Sequence, residues 1–142
     1  VTVSAVSAPG NLAISLQQKT ATVAMISGYE FSNYCDFVSS IPIAGGTPSG
    51  SSWMGQKLED VRTLAGQQVT LSFWAKVSTG TNNNFYPVIE QNFGSGGSGV
   101  VTNTGSAISL TTSWQRFTYT TTLGSMSGKT IGTNSYLDVR CV

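Results

Sequence analysis

The sequence predicts an all-β chain, an antiparallel β-sandwich of jelly-roll type. Three observations predict it. Apolar residues alternate with period two, helical periodicity is nearly absent, and short apolar runs are separated by Gly-, Ser- and Asn-rich connectors. Leu12–Leu16 opens the series, with Leu12, Ile14 and Leu16 on one face. Thr20–Ile26 and Tyr34–Ile43 are apolar enough for strands, and GGTPSGSS (45–52) reads as a connector that leaves Trp53 in a loop. Gly55–Leu64 is the one stretch that reads as a turn of helix. Gln68–Val77 is the clearest strand: Val69, Leu71, Phe73, Ala75 and Val77 share one face, and Thr70, Ser72, Trp74 and Lys76 share the other. Phe85–Phe93 is a strand whose Pro87 suits an edge or a bulge. GSGGSG (94–99) reads as a flexible hairpin connector. Val100–Asn103 and Ala107–Leu110 follow. Ser113–Thr122 then sets Phe117 and Tyr119 against Trp114, Arg116, Thr118 and Thr120, and Tyr136–Val142 closes a set of about eight or nine short strands.

Composition narrows the chemistry. A chain of 142 residues is the size of one ordinary domain, so a single domain over 1–142 is expected, with 1–10 as an extended N-terminal arm. No initiator Met and no signal-peptide pattern open the chain, which marks it as processed, trimmed or part of something longer. Only 9% of residues are charged, and Ser, Thr, Asn, Gln and Gly make up about half. The seven basic residues are scattered, which argues against a nucleic-acid footprint. Histidine is absent, which excludes His-based triads, His-ligated metals and His pH switches. No apolar run reaches a helical membrane span. A surface so poor in charge should be weakly salt-sensitive overall. Cys35 and Cys141 allow one long-range disulfide or two unpaired thiols.

The candidate sites are few. Six acids are present, Glu30, Asp36, Glu59, Asp60, Glu90 and Asp138, with Glu59–Asp60 expected on an exposed turn and Glu90 on the polar phase of its strand. Surface solvation is the ordinary role for such acids, and a hydrolase acting through Glu59, Asp60 or Glu90 is a remnant reading. No loop carries the spaced acids of a Ca²⁺ site, and GSGGSG lacks phosphate-loop spacing, so no metal and no cofactor is expected. Aromatics on the polar strand phase say more. Trp74, Tyr86 and Trp114 stand where alternation expects a solvated side chain. Sugar rings stack on such aromatics while a neighbour such as Arg116 hydrogen-bonds the hydroxyls. Packing in a two-sheet core or at an oligomer contact is the commoner role of such rings.

The segments GQQVTLSFWAKVSTG (66–80) and LTTSWQRFTYTTTLGS (110–125) resemble the galactose-binding-like jelly rolls of carbohydrate-binding modules. More closely, they resemble versions in structural proteins of tailed bacteriophages, as tail-fibre or capsid-decoration modules. QNFGSGGSG (91–99) and TIGTNSYLDVR (130–140) fall where those relatives have similar segments, so the resemblance covers Gly55–Arg140. Relatives of this kind usually carry one or two further strands after the segment matching YLDVR. Either the chain ends short of them or other residues supply that edge, because an open edge would be an aggregation hazard; Val1–Ala8 folding back or a strand donated from a neighbouring subunit could cover it.

The resemblance implies a non-enzymatic structural protein at a virion surface, in capsid decoration or a fibre. It would act through assembly with other virion proteins and with itself as a homo-oligomer, without nucleic-acid or membrane partners. The alternative is a carbohydrate-binding module, serving as a tail-fibre receptor-binding domain for cell-surface glycan or as an appendage of a secreted glycan hydrolase. Trp74, Tyr86, Trp114 and Arg116 are then the glycan-binding candidates.

Overall fold

The computed structural model describes residues 2–6, 13–22, 25–29, 31–40, 51–79 and 83–142. Among them the chain is all-β, with no helix. Eleven strands follow in order: β1 (Thr2–Val6), β2 (Ala13–Thr20), β3 (Asn33–Ser40), β4 (Ser51–Glu59), β5 (Gln68–Ala75), β6 (Asn84–Phe85), β7 (Pro87–Asn92), β8 (Val101–Thr104), β9 (Ile108–Ser109), β10 (Gln115–Thr122) and β11 (Tyr136–Cys141). The largest sheet has the order β1-β4-β11-β7-β8; β10-β5, β2-β3 and β6-β9 form two-stranded sheets. The pairings of β2–β3, β5–β10, β6–β9, β7–β8 and β7–β11 are antiparallel. The chain divides into two compact units, one of Val1–Thr2 with Gly55–Val142 and one of Val3–Met54.

In the larger unit, alternation does what the sequence predicts for β5 and β10. Phe117 pairs with Phe73 and Tyr119 with Leu71, so the greasy phases of both strands share one face. Val69, Leu71 and Tyr119 from that face pack on Ile89, Leu123 and Leu137, with Leu58 and Val139. The latter group comes mainly from β4, β7 and β11, so two antiparallel layers close on one core, as in a β-sandwich. A second cluster continues it, with the Phe73 and Phe85 ring centroids 5.4 Å apart and Phe117 at 5.9 and 6.1 Å from them. Gln91 is fully buried on the same face of β7. Its amide oxygen accepts from the Gly124 N–H at 2.8 Å and its amide nitrogen donates to the Gly124 carbonyl at 3.1 Å. Burial without unmet polar groups follows from that two-way bond.

Several expectations are corrected. No helix forms over Gly55–Leu64: β4 runs to Glu59, Asp60 (φ 68°) follows it, and 61–66 form turns that include Leu64 (φ 61°), so both residues leave the helical region. β4 lies so close to β11 that a Cβ at Gly55 would sit 2.9 Å from Arg140 Cβ, and only glycine fits. Trp53 consequently stands on a strand, not in a loop. Residues 45–50 of the expected connector lie outside the described residues. Among the described residues the expected strand over Thr20–Ile26 does not continue past Thr20: β2 ends there, Ala21 N–H donates to the Ser32 carbonyl, and Ile26 bridges Tyr29 across a tight turn, while residues 23 and 24 lie outside the described residues. Pro87 opens an interior strand, β7, flanked by β11 and β8. A first-residue proline costs that ladder little, because its missing N–H lies at the strand's end. The edge beside β11 is supplied by other residues of the chain: β4 occupies it and β1 borders β4.

The 94–99 segment is no flexible connector. Ser95 and Thr133 exchange backbone hydrogen bonds at 3.0 and 3.1 Å. Gly132 N–H donates to the Phe93 carbonyl at 2.8 Å, and Ser98 N–H to the Thr130 carbonyl at 2.9 Å. Two loops distant in sequence are zipped together, and glycines stand where their backbones touch.

Cys35 is an exposed free thiol and Cys141 a half-buried free thiol. Burial pushes the Cys141 thiol up to about 11, which leaves little nucleophilic thiolate near neutral pH. Native protein treated with iodoacetamide at pH 8 should be alkylated at Cys35 and spared at Cys141. Peptide mass mapping that found equal labelling would contradict this placement.

Candidate functional site

The polar phases of β5 and β10 share the face turned away from the core. Register sets Arg116 directly opposite Trp74, and Thr118 opposite Ser72. Arg116 is exposed, and its Nη2 donates to Ser72 Oγ at 3.3 Å, which steadies the guanidinium above the sheet. Trp114 precedes β10 on the same phase, and Lys76 follows β5 on the phase of Trp74. The Lys76 ammonium stands 5.7 Å from the Trp114 ring centroid, within cation–π range. Both tryptophans are half-buried, whereas Lys76 and Arg116 are exposed. Beyond them the face is hydroxylic. Thr70 and Thr120 pair across the strands with their Oγ1 atoms 2.8 Å apart.

Three of the four candidates named from the sequence, Trp74, Trp114 and Arg116, therefore share one face. Tyr86 lies apart from that ladder, at the bend between β6 and β7. It is 44% exposed, and its N–H and carbonyl exchange hydrogen bonds with Val142 at 2.8 and 2.9 Å. Lys76 and Ser72 belong to the cluster and were not singled out. Their signal was present in the two-residue phase that selects Trp74.

A second cluster lies on the face of β7 and β11 opposite the core. Asp138 pairs in register with Glu90, and Arg140 reaches both. Its Nη2 meets Glu90 Oε2 at 2.6 Å and its Nη1 meets Asp138 Oδ2 at 3.2 Å. The Glu90 and Asp138 side chains are only 12% and 9% exposed. The expectation of a solvated Glu90 is thus corrected: its strand is interior and its carboxylate is spent on Arg140. Lys57 adds its charge nearby, its Nζ standing 4.1 Å from the Tyr136 ring centroid. Asp60 is engaged as well. It accepts from Arg62 at 2.6–3.0 Å, and this hydrogen bonding holds its carboxyl below the usual range. The Asp60–Arg62 pair is exposed and contributes little to stability.

Burial raises the Asp138 carboxyl above its ordinary value of 3.8, and Glu90 pushes the same way against Arg140 and Lys57. Folded Asp138 therefore holds its proton more tightly than the unfolded chain does. Its contribution to stability is fullest below about pH 4 and is lost as pH rises through the folded value. Asp138→Asn should accordingly be more stable than the parent at pH 7, the difference shrinking towards pH 3. A variant less stable than the parent at pH 7, in matched urea titrations, would contradict this.

Among the described residues no group of three or more His, Cys, Asp or Glu side chains is placed to hold a metal ion. No protein-family model matches the chain, and neither a curated protein nor a solved structure matches it.

Proposed function

We propose that the chain is a non-catalytic recognition module of a bacteriophage virion surface, a galactose-binding-like jelly roll whose β5–β10 outer face contacts cell-surface glycan as part of a tail fibre. One observation carries the recognition reading: Trp74, Trp114, Arg116 and Lys76 converge on one hydroxyl-rich sheet face. Indole faces suit the C–H surface of a sugar ring, and the guanidinium, ammonium and Ser72 hydroxyl suit its oxygens. The virion setting rests on the resemblance of 66–80 and 110–125 to tailed-phage structural proteins. A glycan-array screen should show selective retention that Trp114→Ala abolishes while far-ultraviolet circular dichroism stays unchanged. Retention that survives both Trp74→Ala and Trp114→Ala would overturn the assignment of the face.

A second reading, a decoration or fibre module that works through protein–protein assembly, is favoured by a different feature. An apolar cleft of about 120 Å³ opens between the two layers, lined by Leu58, Val69, Leu71, Ile89, Leu137 and Val139. Leu64 borders it and is 48% exposed. The exposed Leu64 side chain at the rim of this cleft suits contact with a second copy or another virion protein. Light scattering separates the readings. A stable oligomer that dissociates on Leu64→Asp, together with an empty glycan array, supports assembly; a monomer that retains glycan supports recognition.

A further inference from the structure

The β5–β10 face is electrically one-sided. Lys76 and Arg116 both lie on it, and no acidic residue occurs between Asp60 and Glu90 or between Glu90 and Asp138. Both strands are therefore free of carboxylates along their whole length. The acids that bound these stretches are committed elsewhere, Asp60 to Arg62 and both Glu90 and Asp138 to Arg140. In a chain of net charge +1, two cations with no carboxylate partner among the described residues, beside two indoles, are a local concentration of positive charge.

We infer that the glycan taken by this face is acidic, with its negative charge carried on a sugar ring as a carboxylate. The inference rests on the recognition reading above. A planar guanidinium binds a carboxylate through two parallel N–H···O bonds, and one Arg116 nitrogen is already steadied by Ser72, which orients the fork. The Lys76 ammonium supplies a second, less directional charge beside Trp114. A neutral glycan would leave both charges without a counterpart in the complex. Although the surface as a whole is weakly salt-sensitive, binding at this face should weaken as salt screens two exposed cations.

The test uses the intact chain and three probes: an oligogalacturonate, its fully methyl-esterified form and a dextran sulfate of similar length. Oligogalacturonate should bind at least about tenfold tighter than its neutral ester, because esterification removes the acceptor that the guanidinium pairs with. Arg116→Gln and Lys76→Gln, both exposed sites, should each lose about tenfold for the acid form and little for the ester. Lys129→Gln, away from this face, should change neither. Equal affinity for acid and ester would overturn the acidic assignment while leaving glycan recognition standing. Absence of binding to any probe, with an array also empty, would remove both. Dextran sulfate bound as tightly as oligogalacturonate and indifferent to Trp114→Ala would reduce the face to a general anion surface, and that too would overturn the inference.

Discussion

Replacing Arg140 with methionine is expected to destabilise the fold by about 3–5 kcal/mol, because it leaves two buried carboxylates without their shared counter-charge. Glu90 and Asp138 come from neighbouring strands at one register position, and the Arg140 guanidinium bridges them where both side chains are largely shielded from water. The loss should be largest at neutral pH and shrink in acid, as Asp138 takes up its proton and no longer needs a cation. The triple variant Arg140→Met, Glu90→Gln, Asp138→Asn should recover most of it, since neutral side chains of similar shape relieve the desolvation. Urea unfolding read by tryptophan fluorescence gives both numbers. A single-variant loss under about 1 kcal/mol would mean that the cluster is wetter than its geometry implies.

The second large effect belongs to the glycine contact between the 94–99 and 130–133 loops. A Cβ at Gly132 would overlap the Ser95 carbonyl oxygen and lie 2.7 Å from Gly97 N. Those obstacles are backbone atoms held by the Ser95–Thr133 bridge, so they cannot rotate aside as a side chain would. Gly132→Ala should therefore separate the loops and cost roughly 3 kcal/mol. Gly99→Ala is the matched comparison, because a Cβ there meets nothing within 4 Å; its effect should stay within about 0.5 kcal/mol. Equal effects from the two substitutions would contradict the contact. Hydrogen exchange at the Ser95 and Thr133 amides should accelerate in Gly132→Ala and remain slow in Gly99→Ala.

β5 and β10 were legible because each is long, uninterrupted and strictly alternating, and the phase of Trp74, Trp114 and Arg116 came with them. β4 was not legible. Its Ser-Ser opening and Gly55 look like punctuation, and nothing local shows that glycine is there to admit the neighbouring strand. Tyr86 was grouped with the tryptophans because one strand was expected over Phe85–Phe93. The bend before Pro87 splits that run into two strands in different sheets and removes Tyr86 from the phase it shared on paper. GSGGSG looked mobile because glycine permits freedom and close contact alike, and only the partner loop decides between them. The ionic cluster was invisible for a simpler reason: Arg140 and Glu90 lie fifty residues apart, and period-two patterning carries no information on which strands become neighbours.

The most direct measurement of this binding face is amide chemical-shift mapping of the intact chain titrated with oligogalacturonate. Perturbations should concentrate at Ser72–Lys76 and Trp114–Thr118, with Tyr86 and the 94–99 loop unmoved. Shifts centred elsewhere, on Tyr86 or on the cleft beside Leu64, or no shifts at all, would contradict the claim that the β5–β10 face is where this protein meets its ligand.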